Sequence, residues 1–249
     1  MITRDLHVHT LFSDGKNSAE EVVLSGIEKG FTTLGFSDHS PVHFDSGYCM
    51  DEEKVSAYVK EISRLKEKYK DKIEILCGIE QDFYSENYPF DFDFIIGSVH
   101  YIKVQDDYIP VDNNAKYLTD AAEKYFGGDF YSLAEEYYRL VGESAEKTNA
   151  TIIGHFDLIT KFIEKEELFD VSHPRYISAW KRAVDMLIDK NIPFEINTGA
   201  ISRGYRTTPY PSKEIIDYIK EKGGRLILSS DSHKADTLGF KFEEFSSLL

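Results

Sequence analysis

The 249 residues carry a formal net charge of −15, with 41% apolar side chains and two cysteines. Such a charge argues against nucleic acid and anionic membranes as partners, since both reward a basic surface. Two thiols are too few for a disulfide framework, and neither a signal-peptide core nor an apolar run of membrane-spanning length is present, so a cytoplasmic, reducing compartment is expected.

In chain order, a first apolar strand is expected at Asp5–His9. Ser18-Ala19-Glu20-Glu21 is a capping box that opens a helix, which Gly30 closes. A strand at Thr33–Ser37 precedes a long charged helix, capped by Asp51 and running to about Tyr69. Strands follow at Ile73–Gly78, with Cys77 as a buried and inert thiol, and at Phe92–Gly97. Tyr101–Val111 breaks the alternation and reads as a hairpin lying over the site. Asp129 can cap a helix that continues to about Lys147. A strand at Thr151–Gly154 comes next, then a helix over Arg175–Asp189 that carries the only tryptophan, Trp180. The last strands, Pro193–Ile196 and Arg225–Leu228, flank a helix capped by Ser212 and ended at Gly223-Gly224. Continuous apolar strands alternating with helices specify a parallel sheet covered on its outer face. Seven such units in a chain of about 250 residues favour a TIM-like α/β barrel, irregular in its seven strands, over an open sheet. With no linker or composition shift, residues 1–249 are expected to form one domain.

The histidines fall at the strand ends. His7 and His9 end the first strand, His39 the second, Glu80 the third and His100 the fourth; His155, Asn197 and Asp231-Ser232-His233 end the last three. Barrel enzymes build their sites on that face. Residues i and i+2 of a strand share a side, so His7 and His9 can grip one ion, and Asp231 with His233 repeats the geometry on the strand expected to close against the first. His7, His9, His39, Glu80, His100, His155, Asp231 and His233 make eight candidate ligands, with Asp14 a ninth, and exceed what one tetrahedral ion can use. Two or three divalent ions are therefore implied, and imidazole with carboxylate suits zinc, manganese or iron. Multi-metal sites of this composition activate water and clamp the oxygens of an in-line phosphoryl displacement.

The ordered set His7-Val8-His9-Thr10, Ser13-Asp14-Gly15, Asp38-His39, Gly78-Ile79-Glu80, Ser98-Val99-His100, Gly154-His155-Phe156-Asp157 and Ser230-Asp231-Ser232-His233 resembles the successive motifs of the PHP (polymerase and histidinol phosphatase) family. The resemblance implies an irregular seven-stranded barrel with a trinuclear site. His7, His9, Glu80 and Asp231 would hold one ion, Glu80 with His100 and His155 a second, and His39 with His233 a third. Asp14 stands where some members have histidine. Glu80 would act as the bridge, and Asp231 or His233 would orient the nucleophile.

Within the family the chain is most similar to the stand-alone branch that hydrolyses L-histidinol phosphate in histidine biosynthesis. The alternative is another small phosphate ester or a nucleotide. Candidate phosphate ligands are Arg203, whose planar fork matches phosphate oxygens, together with Lys161 and Arg206. Phe44, Asp45, Tyr48 and Tyr101 lie in loops suited to the amino and imidazole end. Asp157 is placed to orient a ligand histidine, while His43 and His173 read as ordinary loop residues.

Overall fold

The computed structural model describes residues 2–249. Strand β1 (Arg4–Asp5) leads through helix α1 (Ala19–Glu28) to β2 (Thr33–Phe36), and α2 (Glu52–Tyr69) connects that strand to β3 (Glu74–Asp82). Then come β4 (Phe94–Ser98), the hairpin β5 (Tyr101–Val104) and β6 (Asp107–Pro110), and the helices α3 (Ala115–Phe126) and α4 (Phe130–Thr148). Strand β7 (Ile152–Ile153), α5 (Pro174–Ile188), β8 (Phe194–Asn197), α6 (Gly199–Ser202), α7 (Lys213–Glu221), β9 (Leu226–Ser229) and α8 (Phe242–Phe245) complete the chain.

The sheet runs β1-β2-β3-β4-β7-β8-β9, seven strands with parallel neighbours throughout. It closes between its first and last strands through one parallel bridge, Val8 to Ser232, where the His9 amide donates to the Ser232 carbonyl at 2.9 Å. This seven-stranded parallel barrel is the fold expected from the sequence. The closure is looser than expected: β1 ends at Asp5, and Leu6–His9 joins the barrel by single contacts rather than as a strand. Strand β3 is longer than expected, so Glu80 lies within it, opposite Ile96, instead of following its end. Helix α3 has no counterpart in the sequence reading. It buries Ala115, Leu118, Ala121 and Ala122 on one face, is capped by Asn114, which accepts from the Tyr117 amide, and is stopped by Gly127 in the left-handed region at φ 62°. The Ser18–Glu21 capping box forms, with Ser18 N donating to Glu21 at 2.7 Å. Asp51 and Ser212 sit at helix starts without a capping hydrogen bond from their side chains.

Strand parity sorts the barrel interior by height. Along β3 the residues Leu76, Gly78, Glu80 and Asp82 share one face, and along β4 Phe94, Ile96 and Ser98 do the same. The lower layer is apolar, with Leu6, Phe94, Ile96 and Ile152 in one buried cluster. The Phe94 ring fills the space left by Gly78, where a Cβ would stand 2.3 Å from it. Above this plug the same faces carry the buried polar side chains Glu80, Asp82 and Ser98, and the site begins there.

Candidate active site

Glu80 is the centre of the polar layer and is 1% exposed. Its Oε2 faces His7 Nε2 at 3.2 Å, His9 Nε2 at 3.5 Å and His39 Nδ1 at 2.8 Å. Its Oε1 faces His100 Nε2 at 3.3 Å and His155 Nε2 at 2.9 Å, and accepts the Ser98 hydroxyl at 2.7 Å. Burial alone would raise its pKa, but His39, His7 and His100 outweigh it and hold the carboxyl well below the usual range. His39 Nδ1 is close to Oε2 yet misaligned for a hydrogen bond.

A second cluster adjoins the first. The His9 ring stacks between those of His39 and His233, with centroids at 4.3 and 4.2 Å. Asp14 Oδ1 reaches His233 Nε2 at 3.1 Å and His39 Nε2 at 3.8 Å. Asp231 Oδ1 lies 3.3 Å from His9 Nε2 and 3.5 Å from His233 Nδ1. Burial, with His233 and His39 alongside, pushes His9 down to about 3, which keeps the imidazole in its neutral, metal-binding form.

The chemistry of these donors fits divalent metal. His7 Nε2, both His9 nitrogens, Asp14 Oδ1 and Glu80 Oε2 are buried without a hydrogen-bond partner. Orphans of this kind cost about 1–3 kcal/mol each unless something binds them. Three overlapping groups bring ligand atoms within 4.8 Å of one another: His9, Asp14, His39 and His233; His7, His9 and Glu80; His39, Glu80 and His100. All nine ligand candidates from the sequence are thus brought to one place.

Further carboxylates stand behind the histidines, and the sequence reading missed their role. Glu195 faces His7 Nδ1 at 2.8 Å and also accepts from the His155 amide, Asn197 and Ser229. Asp82 faces His100 Nδ1 at 3.2 Å and accepts its amide at 3.1 Å. Asp38 takes four hydrogen bonds from Thr10 and Ser13 and so fixes the turn that presents Asp14. Asp5 accepts from the amide and hydroxyl of Ser230, just before Asp231, whose φ is 48°. A signal was available for two of them: Asp82 and Glu195 each lie two residues from a site group on the same strand face. Asp157, expected to orient a histidine, instead accepts the Ser212 amide at 3.0 Å and makes no bond to a ring.

A cavity of about 430 Å³ opens over the clusters, lined on one side by Arg203 and Lys161 and on the other by Asp45, Tyr48 and Tyr101. Arg203 Nη2 donates to Asp231 Oδ2 at 2.9 Å. The Lys161 ammonium donates to the Asp112 carbonyl at 2.7 Å and to its carboxylate at 3.1 Å. Tyr101 donates to Asp45 at 2.7 Å. Arg206 corrects the expectation: it does not line this cavity. Its buried guanidinium bonds the hydroxyls of Thr160 and Thr208 and lies 4.6 Å from the Tyr210 ring, where it braces loops beneath the site. His173 caps α5, accepting from the Arg175 amide at 3.2 Å. Cys77 is buried, and burial together with Asp93 pushes its thiol up to about 12, consistent with an inert side chain.

Several known proteins resemble the chain. The probable histidinol-phosphatase of Schizosaccharomyces pombe is 29% identical over 96% of this chain and 82% of that one. The histidinol-phosphatase of Bacillus subtilis is 26% identical, with 98% of each chain covered. Among solved structures, the histidinol phosphate phosphatase of Lactococcus lactis, complexed with zinc, L-histidinol and phosphate, superposes with a TM-score of 0.70 at 21% identity, covering 99% of this chain and 92% of that one. No helix among the described residues is long and apolar enough to cross a membrane. The PHP domain pattern matches residues 5–199, most of the chain, which therefore belongs to the PHP family.

Proposed function

We propose that the chain is a metal-dependent phosphomonoesterase that hydrolyses L-histidinol phosphate to L-histidinol and phosphate. One observation carries the chemistry: a buried glutamate, Glu80, with five imidazoles around its two oxygens and orphaned donor atoms beside it. The names of the relatives, and the histidinol and phosphate bound to the Lactococcus lactis structure, support the substrate.

In this reading His7, His9, Glu80 and Asp231 hold one ion, Glu80, His100 and His155 a second, and His39 and His233, with Asp14, a third. Zinc, manganese and iron all suit such donors. Divalent ions in these positions supply Lewis-acid charge for the phosphoryl oxygens and lower the pKa of water. Arg203 binds the phosphate oxygens from the cavity side, its planar fork suiting them better than the single ammonium of Lys161, which contributes beside it. Asp231 and His233 orient the attacking water. A water oxygen–phosphorus bond forms, the phosphorus–ester oxygen bond breaks, and a proton passes to the departing alkoxide. Residues 1–249 act as a single barrel domain. Two unpaired thiols, Cys49 and Cys77, support a reducing, cytoplasmic setting.

A steady-state panel tests the assignment: histidinol phosphate, unrelated monoesters, nucleotides and diesters, with added divalent metal. The expected result is a kcat/KM for histidinol phosphate at least about 100-fold above every other substrate, a difference of about 2.7 kcal/mol. Preference for a nucleotide or another small ester would replace the substrate and leave the phosphoesterase chemistry in place. No turnover of any phosphate ester by metal-loaded protein would overturn both.

A further inference from the structure

The two sides of the cavity differ in charge compensation. On the Lys161 side, Asp112 is matched by the ammonium. On the other side, the partners of the Asp45 carboxylate among the described residues are the Tyr101 hydroxyl at 2.7 Å and the Gly47 amide at 3.0 Å, both neutral. A half-buried carboxylate satisfied only by neutral donors keeps its full negative charge facing the cavity.

The loop that carries Asp45 is held in shape. Cys49 Sγ donates to the Asp45 carbonyl at 3.1 Å and accepts the Val42 amide at 3.4 Å, which closes Val42–Cys49 on itself. Phe44 stacks on Tyr108 of the hairpin at 3.6 Å and meets the Tyr101 ring edge-on at 4.8 Å, so Tyr101 is fixed from behind. Tyr48 spans the gap to the histidines: its ring is 4.8 Å from His39 and 6.2 Å from Tyr101. A substrate with its phosphate over the histidines would therefore lay its organic end along Tyr48 and meet Asp45 a few bonds from the ester oxygen.

We infer that Asp45, held by Tyr101, is a specificity-determining residue that selects phosphate monoesters bearing a cation near the ester. The carboxylate forms a charge-assisted bond to the cation, and the faces of Tyr48 and Tyr101 favour positive charge beside them. Tyr101 thus acts mainly by positioning Asp45. The inference rests on the functional reading above and adds the group that separates cationic from neutral esters.

The test compares kcat/KM for histidinol phosphate and for phenyl phosphate, whose organic end is neutral, in the metal-loaded full chain. Asp45→Asn removes the charge and keeps the acceptor for the Gly47 amide, while its NH2 donates to the Tyr101 hydroxyl, which can accept as well as donate. It is expected to lower kcat/KM for histidinol phosphate by about tenfold or more, chiefly through KM, while phenyl phosphate changes by less than about twofold. Asp45→Glu should restore part of the preference, and metal content should match wild type in both variants. If wild type prefers histidinol phosphate and Asp45→Asn keeps that preference, or loses both activities equally, this inference falls and the functional reading stands. If wild type shows no preference for the cationic ester, both fall.

Discussion

Arg203 and Asp231 are joined at three points: Nη2 donates to Oδ2 at 2.9 Å, and Nη1 reaches the Asp231 carbonyl at 2.9 Å and Oδ1 at 3.4 Å. The guanidinium proposed to hold phosphate therefore also restrains a carboxylate proposed to hold metal. Burial would raise the Asp231 pKa, but Arg203 and His7 reverse this and keep it well below the usual carboxylate range. Sequence alone separates phosphate recognition from the metal site, whereas the geometry couples them through this pair.

Arg203→Met keeps much of the stem and removes the fork. Its kcat/KM for histidinol phosphate should fall by about 100-fold or more, about 2.7 kcal/mol, the scale of a lost charge-assisted contact at a reacting centre. Metal affinity should weaken by less than about tenfold, because His7, His9 and Glu80 do not touch Arg203. Equilibrium dialysis with elemental analysis measures the second quantity. Near-normal kcat/KM would transfer the phosphate role to Lys161.

Protein purified without chelator should carry more than one transition-metal ion per chain. Stripping it should abolish turnover and lower the melting temperature by about 5–10 °C, since a ligand at 100 times its Kd stabilises by about 2.7 kcal/mol. Calorimetry before and after chelation reads this. Full activity with one ion or fewer would defeat the multinuclear reading.

Glu80→Gln halves the acceptor capacity at a group shared by five imidazoles and removes the charge they face. Turnover should drop by at least about 1,000-fold, about 4 kcal/mol in barrier, with the far-ultraviolet circular dichroism unchanged. A loss within about tenfold would mean that Glu80 does not serve two ions.

The ligand candidates were legible because strand ends and i, i+2 spacing can be read without tertiary information: His7 with His9, and Asp231 with His233. The longer reach of β3 was not legible, because Gly78 reads as a strand end when the Phe94 ring that fills its place is unseen. Arg206 was misjudged for a related reason. It follows the same strand end as Arg203, but the left-handed Gly204 between them (φ 74°) turns the chain and sends the second guanidinium under the site. Asp5 and Asp38 lacked a distinguishing signal in isolation, since they gain meaning only from Ser230 and from the Thr10–Ser13 turn that they bind.

Glu195 offers the sharpest test of that supporting layer. Its two oxygens face four donor groups: Asn197 and the His155 amide on Oε1, Ser229 and His7 Nδ1 on Oε2. Burial would raise its pKa, and His7 outweighs this to hold it below the usual range, so the native group is a carboxylate that accepts on both sides. An amide of the same shape accepts on one side only. If Glu195→Gln keeps its oxygen toward Asn197 and His155, its NH2 faces His7 Nδ1 and forces the imidazole to carry its proton on Nε2. That nitrogen is the one 3.2 Å from Glu80, and a protonated nitrogen cannot bind metal. If the amide turns the other way, its NH2 meets the His155 amide and displaces the loop bearing His155. Either outcome should weaken metal binding by about 10–100-fold, the usual scale for a carboxylate that orients a ligand histidine. A competition titration against a chelator measures the affinity, and activity should recover substantially at saturating metal. Affinity within twofold of wild type would show that Glu195 does not set the His7 tautomer. Activity lost at every metal concentration, with affinity intact, would assign it a role in the reaction itself.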